Sequence, residues 1–136
     1  MRRVCFATVL CLMFLTFSAF AEDFNVVMKR ANLGNAEAQF QIGRMYANGD
    51  GLKQDYKLAV LWYEKAAKRS HPAAQNNLGV LYHNGRGVKK DYKKARKWYE
   101  KSAAQGYGRA FDNLGWIYQL GQGVNVDYNK AFEYYS

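Results

Sequence analysis

Few side chains in this sequence are of the types that carry out catalysis, and their spacing does not favour it. His71 and His83 are the two histidines of the 136-residue chain, and no nucleophile or ligand motif surrounds either. Cys5 and Cys11 both lie in an apolar N-terminal stretch. No group of His, Cys, Asp and Glu has the spacing of a metal site. We therefore predict no catalytic residue, no cofactor and no metal.

An Asp-Tyr pair occurs three times, beginning at Asp55, Asp91 and Asp127. Such groups can act in acid–base chemistry. Each pair, however, follows a Gly-x-Gly loop and opens an amphipathic segment, where aspartate caps a helix and tyrosine packs in the core. The loop does not match a phosphate-binding loop, because it ends a helix instead of following a strand. We interpret the three pairs as structural.

Electrostatic binding has more support, because positive charge is concentrated in the middle of the chain. The formal net charge is +9, and residues 74–109 contain nine Lys/Arg and two acidic residues. Four lysines at helical spacing define a basic patch: Lys90, Lys94, Lys97 and Lys101. The patch is either the solvated face of a helix or a site for an anionic membrane surface, an acidic protein or a cell-wall polymer.

The N-terminus has the pattern of a secretory signal peptide, predicted over residues 1–21. Arg2 and Arg3 precede the apolar residues 4–20, and Ala19-Phe20-Ala21 is a small-x-small cleavage site. The alternative is an uncleaved membrane anchor, for which the apolar stretch is short. We expect an exported protein, located in the periplasm, outside the cell or at its surface. Export disfavours nucleic acid as a partner.

A repeat of 36 residues positions these groups, because Gly49, Gly85 and Gly121 open the same loop three times. A fixed period of this size predicts a solenoid of small stacked units. Each unit has a helix A before the loop and a helix B after it. We predict a capping helix over 22–35, repeats over 36–71 and 72–107, and an incomplete repeat over 108–136. Because the sequence stops within a helix B, we hypothesise a longer array.

A glycine recurs in the middle of each helix A, at Gly43, Gly79 and Gly115. A glycine inside a helix costs about 1 kcal/mol relative to alanine. Its recurrence at one register predicts a place where another helix comes too close for a side chain.

The repeat resembles a known family. Residues 78–88 read Leu-Gly-x-x-Tyr-x-x-Gly-x-Gly-Val, and residues 91–99 read Asp-Tyr-x-Lys-Ala-x-x-Trp-Tyr. These motifs resemble the Sel-one-like repeat (SLR), a branch of the tetratricopeptide-type repeats. The resemblance implies an all-α, right-handed superhelix of antiparallel helix pairs, with helix A on the concave side, and a scaffold that binds proteins. Ser70 and His71 replace the usual glycine, and Tyr134 stands where tryptophan is typical.

Positions that vary between the repeats form a stripe on helix A, spaced i, i+4, i+7. The stripes contain Phe40, Arg44 and Ala47; Asn76, Val80 and His83; Asp112, Trp116 and Gln119. Aromatic residues and arginine among polar ones are typical of binding hot spots. We predict a protein or peptide partner on this helix-A surface. The alternative for the same positions is variable surface or packing between repeats.

Two other functions remain open at this stage. The first is an envelope adaptor that attaches to membrane or cell-wall polymer through the basic patch. The second is a hydrolase, since some cysteine-rich members of the family that this chain resembles are described as weak hydrolases. The segment after residue 21 has no cysteine, which disfavours this last alternative.

Overall fold

Seven helices make up residues 23–136, the part of the chain that the computed structural model describes, and no strand occurs there. Helix α1 includes residues 23–32. The others are α2 (Ala36–Asn48), α3 (Tyr56–Lys68), α4 (Pro72–Asn84), α5 (Tyr92–Ala103), α6 (Gly108–Leu120) and α7 (Tyr128–Tyr135). The predicted signal peptide lies outside the described residues. Helices α2, α4 and α6 are the A helices, and α3, α5 and α7 are the B helices.

Each A helix and the B helix after it form an antiparallel hairpin closed in the same way three times. The backbone N–H of the capping aspartate donates to a tyrosine carbonyl near the end of helix A, at 2.9 Å in every hairpin. The Asp91 carboxylate then accepts from the backbone N–H of Lys94 at 2.9 Å. Asp55 and Asp127 cap their helices in the same manner. The predicted capping role of the three aspartates is confirmed.

The mid-helix glycines make room for tyrosine rings, which confirms the predicted close approach. A Cβ on Gly79 would lie 2.5 Å from the ring of Tyr99 and 3.2 Å from a carbonyl oxygen of α5. Gly43 faces the ring of Tyr63 in the first hairpin, and Gly115 faces Tyr135 in the third. Helix B therefore packs its large aromatic side chain directly on the backbone of helix A, as ridges fit grooves.

The loop between the helices also contacts the preceding hairpin. Gly87 has φ of 73°, a left-handed conformation that favours glycine. A Cβ there would overlap the carbonyl of Tyr56 and lie 2.8 Å from the backbone nitrogen of Lys57. The loop of the second hairpin thus lies against the first turn of α3.

The buried side chains form three clusters, one beneath α1 and one in each of the next two hairpin junctions. The first contains Ala31 of α1 and Trp62 of α3. Tyr46 packs against both the first and the second cluster, and Tyr82 against both the second and the third. Tyr118 is 6% exposed. The helix-A tyrosines thus join the clusters into one continuous core, as predicted for a stacked solenoid.

Replacing Ser70 with glycine should raise the free energy of unfolding by about 0.5–1 kcal/mol. Within residues 23–136, Ser70 is the one non-glycine residue with positive φ, at 62°. The equivalent positions in the neighbouring units are Gly34 and Gly106, with φ of 89° and 78°. Urea unfolding followed by circular dichroism measures the change. Ser70→Ala is the control, because it keeps the Cβ and should give no gain; equal gains would contradict this account.

Candidate functional site

The predicted helix-A surface is divided between exposed and enclosed side chains. Arg44, Asp112, Trp116 and Gln119 are exposed, and Trp116 is 59% exposed. Phe40, Ala47, Val80 and His83 are partly buried. Asn76 is 3% exposed. The structure therefore brings these residues to one side of the A helices but leaves only part of the set accessible.

Asn76 requires a correction, because its side chain lies inside the junction between α4 and α6. Its Oδ1 accepts a hydrogen bond from Nδ2 of Asn113 at 2.9 Å. The neighbouring Asn77 donates from Nδ2 to the Tyr63 hydroxyl at 3.2 Å. Buried amides need such partners, so Asn76 joins two repeats and is not available to a binding partner.

Phe40 also takes part in packing between repeats. Its ring stacks on His71 with centroids 4.7 Å apart. Nδ1 of His71 accepts a hydrogen bond from the backbone N–H of Ala74 at 3.2 Å. The ring proton is therefore on Nε2, which donates to Oε2 of Glu37 at 2.9 Å. The hydrogen bond from His71 lowers the pKa of the Glu37 carboxyl. These contacts tie the start of α2 to the start of α4.

A cavity of about 220 Å³ lies between the first two hairpins, beside Ala47 and Val80 of the predicted surface. Leu81 adds apolar surface, and the polar groups around it belong to Asn48, Tyr56, Tyr63, Asn77 and Arg86. The Arg86 guanidinium lies 5.4 Å from the Tyr56 ring centroid, and its Nη1 donates to the Tyr56 hydroxyl at 3.4 Å. A stacked guanidinium of this kind suits carboxylate recognition.

The sequence analysis did not find Arg86. Its loop position changes from Asp50 to Arg86 to Gln122 along the chain, and this variation was the available signal. At the position equivalent to Ala47, the second hairpin has His83, whose ring packs edge-on against Tyr92 at 5.1 Å. Burial and the charge of Lys90 lower the pKa of His83. The first hairpin has the small side chain of Ala47 at this position, where it lines the cavity.

The four lysines of the basic patch are all exposed, Lys90 in the loop before α5 and the other three on the helix itself. Three of their ammonium groups lie over aromatic rings: Lys90 over Tyr92 at 5.6 Å, Lys94 over Tyr82 at 5.4 Å and Lys101 over Trp98 at 4.7 Å. Cation–π contacts at exposed sites are worth about 0.5–1 kcal/mol each. They hold the long side chains along the helix while the charges stay accessible.

Within residues 23–136, no three His, Asp or Glu side chains come together in a way that would hold a metal ion. Within the same residues, none of the helices has both the length and the apolar character needed to cross a membrane.

Solved structures resemble this one closely. A protective antigen of uropathogenic Escherichia coli with an SLR fold is 43% identical, with a TM-score of 0.78 over 80% of this chain and 23% of that protein. A Sel1 repeat protein from Oxalobacter formigenes is 39% identical, with a TM-score of 0.80 over 84% of this chain and 46% of that one. Cysteine-rich protein B of Helicobacter pylori is 30% identical, with a TM-score of 0.61, over 64% of this chain and 65% of that one.

Two curated proteins match shorter segments. The ERAD-associated E3 ubiquitin-protein ligase component HRD3A of Arabidopsis thaliana is 38% identical over 52 residues. The chitin synthase regulator SKT5 of Saccharomyces cerevisiae is 41% identical over 46 residues. These segments cover 38% and 34% of this chain but 8% and 7% of the two proteins, so the chain spans less than a tenth of their length.

The comparisons confirm the predicted all-α repeat superhelix. Sel1-repeat proteins are helical scaffolds that typically mediate protein–protein interaction and are in general not enzymes. The family model described as Sel1 repeat matches residues 36–71, 72–107 and 112–136. Because these matches span well over half of the sequence, the chain belongs to the Sel1-repeat family.

Proposed function

We propose that this protein is an exported scaffold that binds a protein or peptide across its helix-A surface. The observation that carries the proposal is a cavity between the first two hairpins, with exposed residues of the hot-spot type on the same side of the stack; Trp116 of the last hairpin is 59% exposed. Arg44 is exposed on the same side, and the cavity beside Ala47 and Val80 lies between them along the stack. Tryptophan and arginine are enriched among the residues that dominate binding energy.

The physical reason is that Trp116 does not contribute its full apolar area to the core. Burying such a side chain against a partner gains roughly 25 cal/mol per Å² of apolar surface. The cavity offers a second anchor point, with apolar walls for the stem of a side chain and Arg86 for a carboxylate at its end. Export is supported by the N-terminal sequence, where two arginines precede an apolar stretch and a small-x-small site.

Trp116→Ala should reduce the free energy of binding to the partner by about 2 kcal/mol, which is roughly a 30-fold loss of affinity. The same change should alter the free energy of unfolding by less than about 0.5 kcal/mol. A photoreactive amino acid at position 116, placed in the native cell, would identify the partner by mass spectrometry. The same amino acid at Leu61, which is 45% exposed on α3, is the control and should give no crosslink. Purified partner then measures the affinity.

Two further variants use residues that the chain itself has at equivalent positions. Ala47→His fills the cavity with the side chain of the second hairpin, and Arg86→Gln installs the residue of the third. Both variants should lower the affinity for the same partner without unfolding the protein. Crosslinks that appear equally at positions 61 and 116, or an affinity that none of the three variants changes, would contradict the proposal.

A second candidate function is attachment to an anionic surface through the basic patch. It is favoured by the exposure of all four lysines and by the cation–π contacts of Lys90, Lys94 and Lys101. This attachment and binding at the helix-A surface use different helices, so one protein can do both.

A further inference from the structure

The surface beside α5 has a groove. Three adjoining cavities, of about 570, 280 and 330 Å³, follow the helix. The first two share Trp98 and Lys101 as lining residues, and the last two share Tyr82 and Lys94. The shared residues place the three cavities one after another along the helix. We define the lysine groove by its lining residues Tyr82, Lys89, Lys90, Lys94, Lys97, Trp98 and Lys101.

Positive charge is spaced evenly along this groove. Lys94, Lys97 and Lys101 are three or four residues apart on α5, which places them about 4.5–6 Å apart along the helix axis and spreads them over about 10 Å; Lys90 extends the line into the loop before the helix. Two carboxylates lie beside the groove. Asp91 caps α5 and lines one of the cavities, and Glu64 accepts from the Tyr82 hydroxyl at 3.4 Å. These hydrogen bonds do not cancel the two negative charges, but five lysines line the groove and leave it positive.

Aromatic rings line the same groove as the lysines. Trp98 and Tyr82 are both partly buried, so their rings are fixed by the core on one side. The ammonium groups of Lys101 and Lys94 lie over these rings, so a ligand can stack on a ring only after one of its anionic groups has drawn the lysine aside. A site that combines fixed rings with a line of cations suits a ligand that has both apolar faces and anionic groups at regular intervals.

We propose that the lysine groove binds a linear, carboxylated polysaccharide. Each sugar of such a chain has a C–H face that can stack on an aromatic ring, and its carboxylates recur at intervals comparable to the lysine spacing. The proposal deepens the second candidate function, because it names the ligand of the basic patch. It also rests on export, since a polysaccharide of this kind is found outside the cytoplasm.

Three other polyanions fit the groove less well. An anionic membrane is a broad surface, whereas the lysines lie in one line within a groove. An acidic peptide in extended form would seek backbone hydrogen bonds, and the backbone groups of α5 are used within the helix. Single-stranded nucleic acid shares the charge and the stacking faces but is disfavoured by export.

The test uses purified protein and a short oligogalacturonate, with binding measured by isothermal titration calorimetry. We expect binding that weakens between about 50 and about 300 mM NaCl, because salt screens exposed charges. Lys→Gln substitution at positions 90, 94, 97 and 101 together should reduce the affinity about tenfold or more. The matched control replaces Lys29, Lys53, Lys57 and Arg109 with glutamine, because these residues are exposed outside the groove. In this control the affinity should fall by less than about threefold.

Trp98→Ala separates recognition of the sugar from simple charge attraction. The variant should lose about fivefold or more in affinity for oligogalacturonate and little for a poly-glutamate peptide of equal charge. Thermal unfolding checks that the variant is folded, and Tyr82→Leu serves in its place if it is not. A neutral maltooligosaccharide should not bind.

Several results would overturn the proposal. One is equal loss of affinity in the groove variant and in its matched control. Another is tighter binding of poly-glutamate, of phosphatidylglycerol-containing vesicles or of an oligothymidylate than of oligogalacturonate, which would assign the groove to that class of partner. Trp116→Ala should bind the oligosaccharide as wild type does. The groove and the helix-A surface can therefore fail independently.

Discussion

Alanine in place of Gly87 is expected to lower the free energy of unfolding by about 3 kcal/mol or more. Two costs combine. A left-handed residue with a Cβ is strained by about 1–2 kcal/mol, and the added methyl would overlap the carbonyl of Tyr56. Because both groups at the clash are backbone, neither can rotate away, and the loop must move off the preceding hairpin.

Gly106→Ala separates the two costs. Gly106 also has positive φ, at 78°, but a Cβ there would meet nothing within 4 Å. This control should therefore lose only the net cost of a Cβ in the left-handed region, about 0.5–1 kcal/mol, as estimated for Ser70 at the equivalent position. Urea unfolding followed by circular dichroism measures both variants. Equal losses would show that the loop of the second hairpin does not press on α3.

Tyr99→Ala is expected to cost about 3–5 kcal/mol, which is typical of removing a large buried aromatic side chain. Tyr99 is among the largest fully buried side chains, and burial raises the pKa of its hydroxyl well above the ordinary value. Its ring lies against Gly79 and packs with Leu114 and Ile117 of α6. Tyr128→Ala is the control, because Tyr128 is largely exposed and its loss should cost less than about 0.5 kcal/mol.

A double-mutant cycle tests the contact between Tyr99 and Gly79 directly. In the wild type, Gly79→Ala should cost about 1–3 kcal/mol because the methyl overpacks against the ring. With Tyr99→Ala the space is open, and the same change should become neutral or favourable, since alanine is the better helix former by about 1 kcal/mol. Additive effects would mean that the two residues do not share this contact.

The hairpins and their stacking could be predicted because each feature has a local cause that recurs. The capping aspartates, the left-handed loop glycines and the glycine that faces a tyrosine all follow from short motifs with a strict spacing. Three copies of a motif also separate the positions that must be constant from those that vary. The sequence therefore predicted the close approach at Gly79, but not that the ring of Tyr99 fills it.

The candidate site was harder to predict from the sequence, because variation between repeats does not show whether a side chain is buried or exposed. The positions of Asn76 and Phe40 vary between repeats because the side chains at each junction pack differently. Asn76 pairs with the amide of Asn113 at one junction, and Phe40 stacks on His71 at another. The cavity beside Ala47 depends on a small side chain next to a loop arginine from the following hairpin. Ala47 and Arg86 are 39 residues apart in the sequence, and no single motif predicts that they lie close together.

The junction at Gly87 has a consequence for how such a protein can change over evolution. The third hairpin has a similar but looser contact, because a Cβ on Gly123 would lie 2.9 Å from the Cβ of Tyr92. The contact between a loop and the preceding helix thus recurs every 36 residues, and a gene duplication or loss of 36 codons keeps it in register. The side chains between the A helices differ from one junction to the next, so they must repack wherever two units meet for the first time. An insertion of a few codons before the loop would instead move the glycine away from the preceding helix.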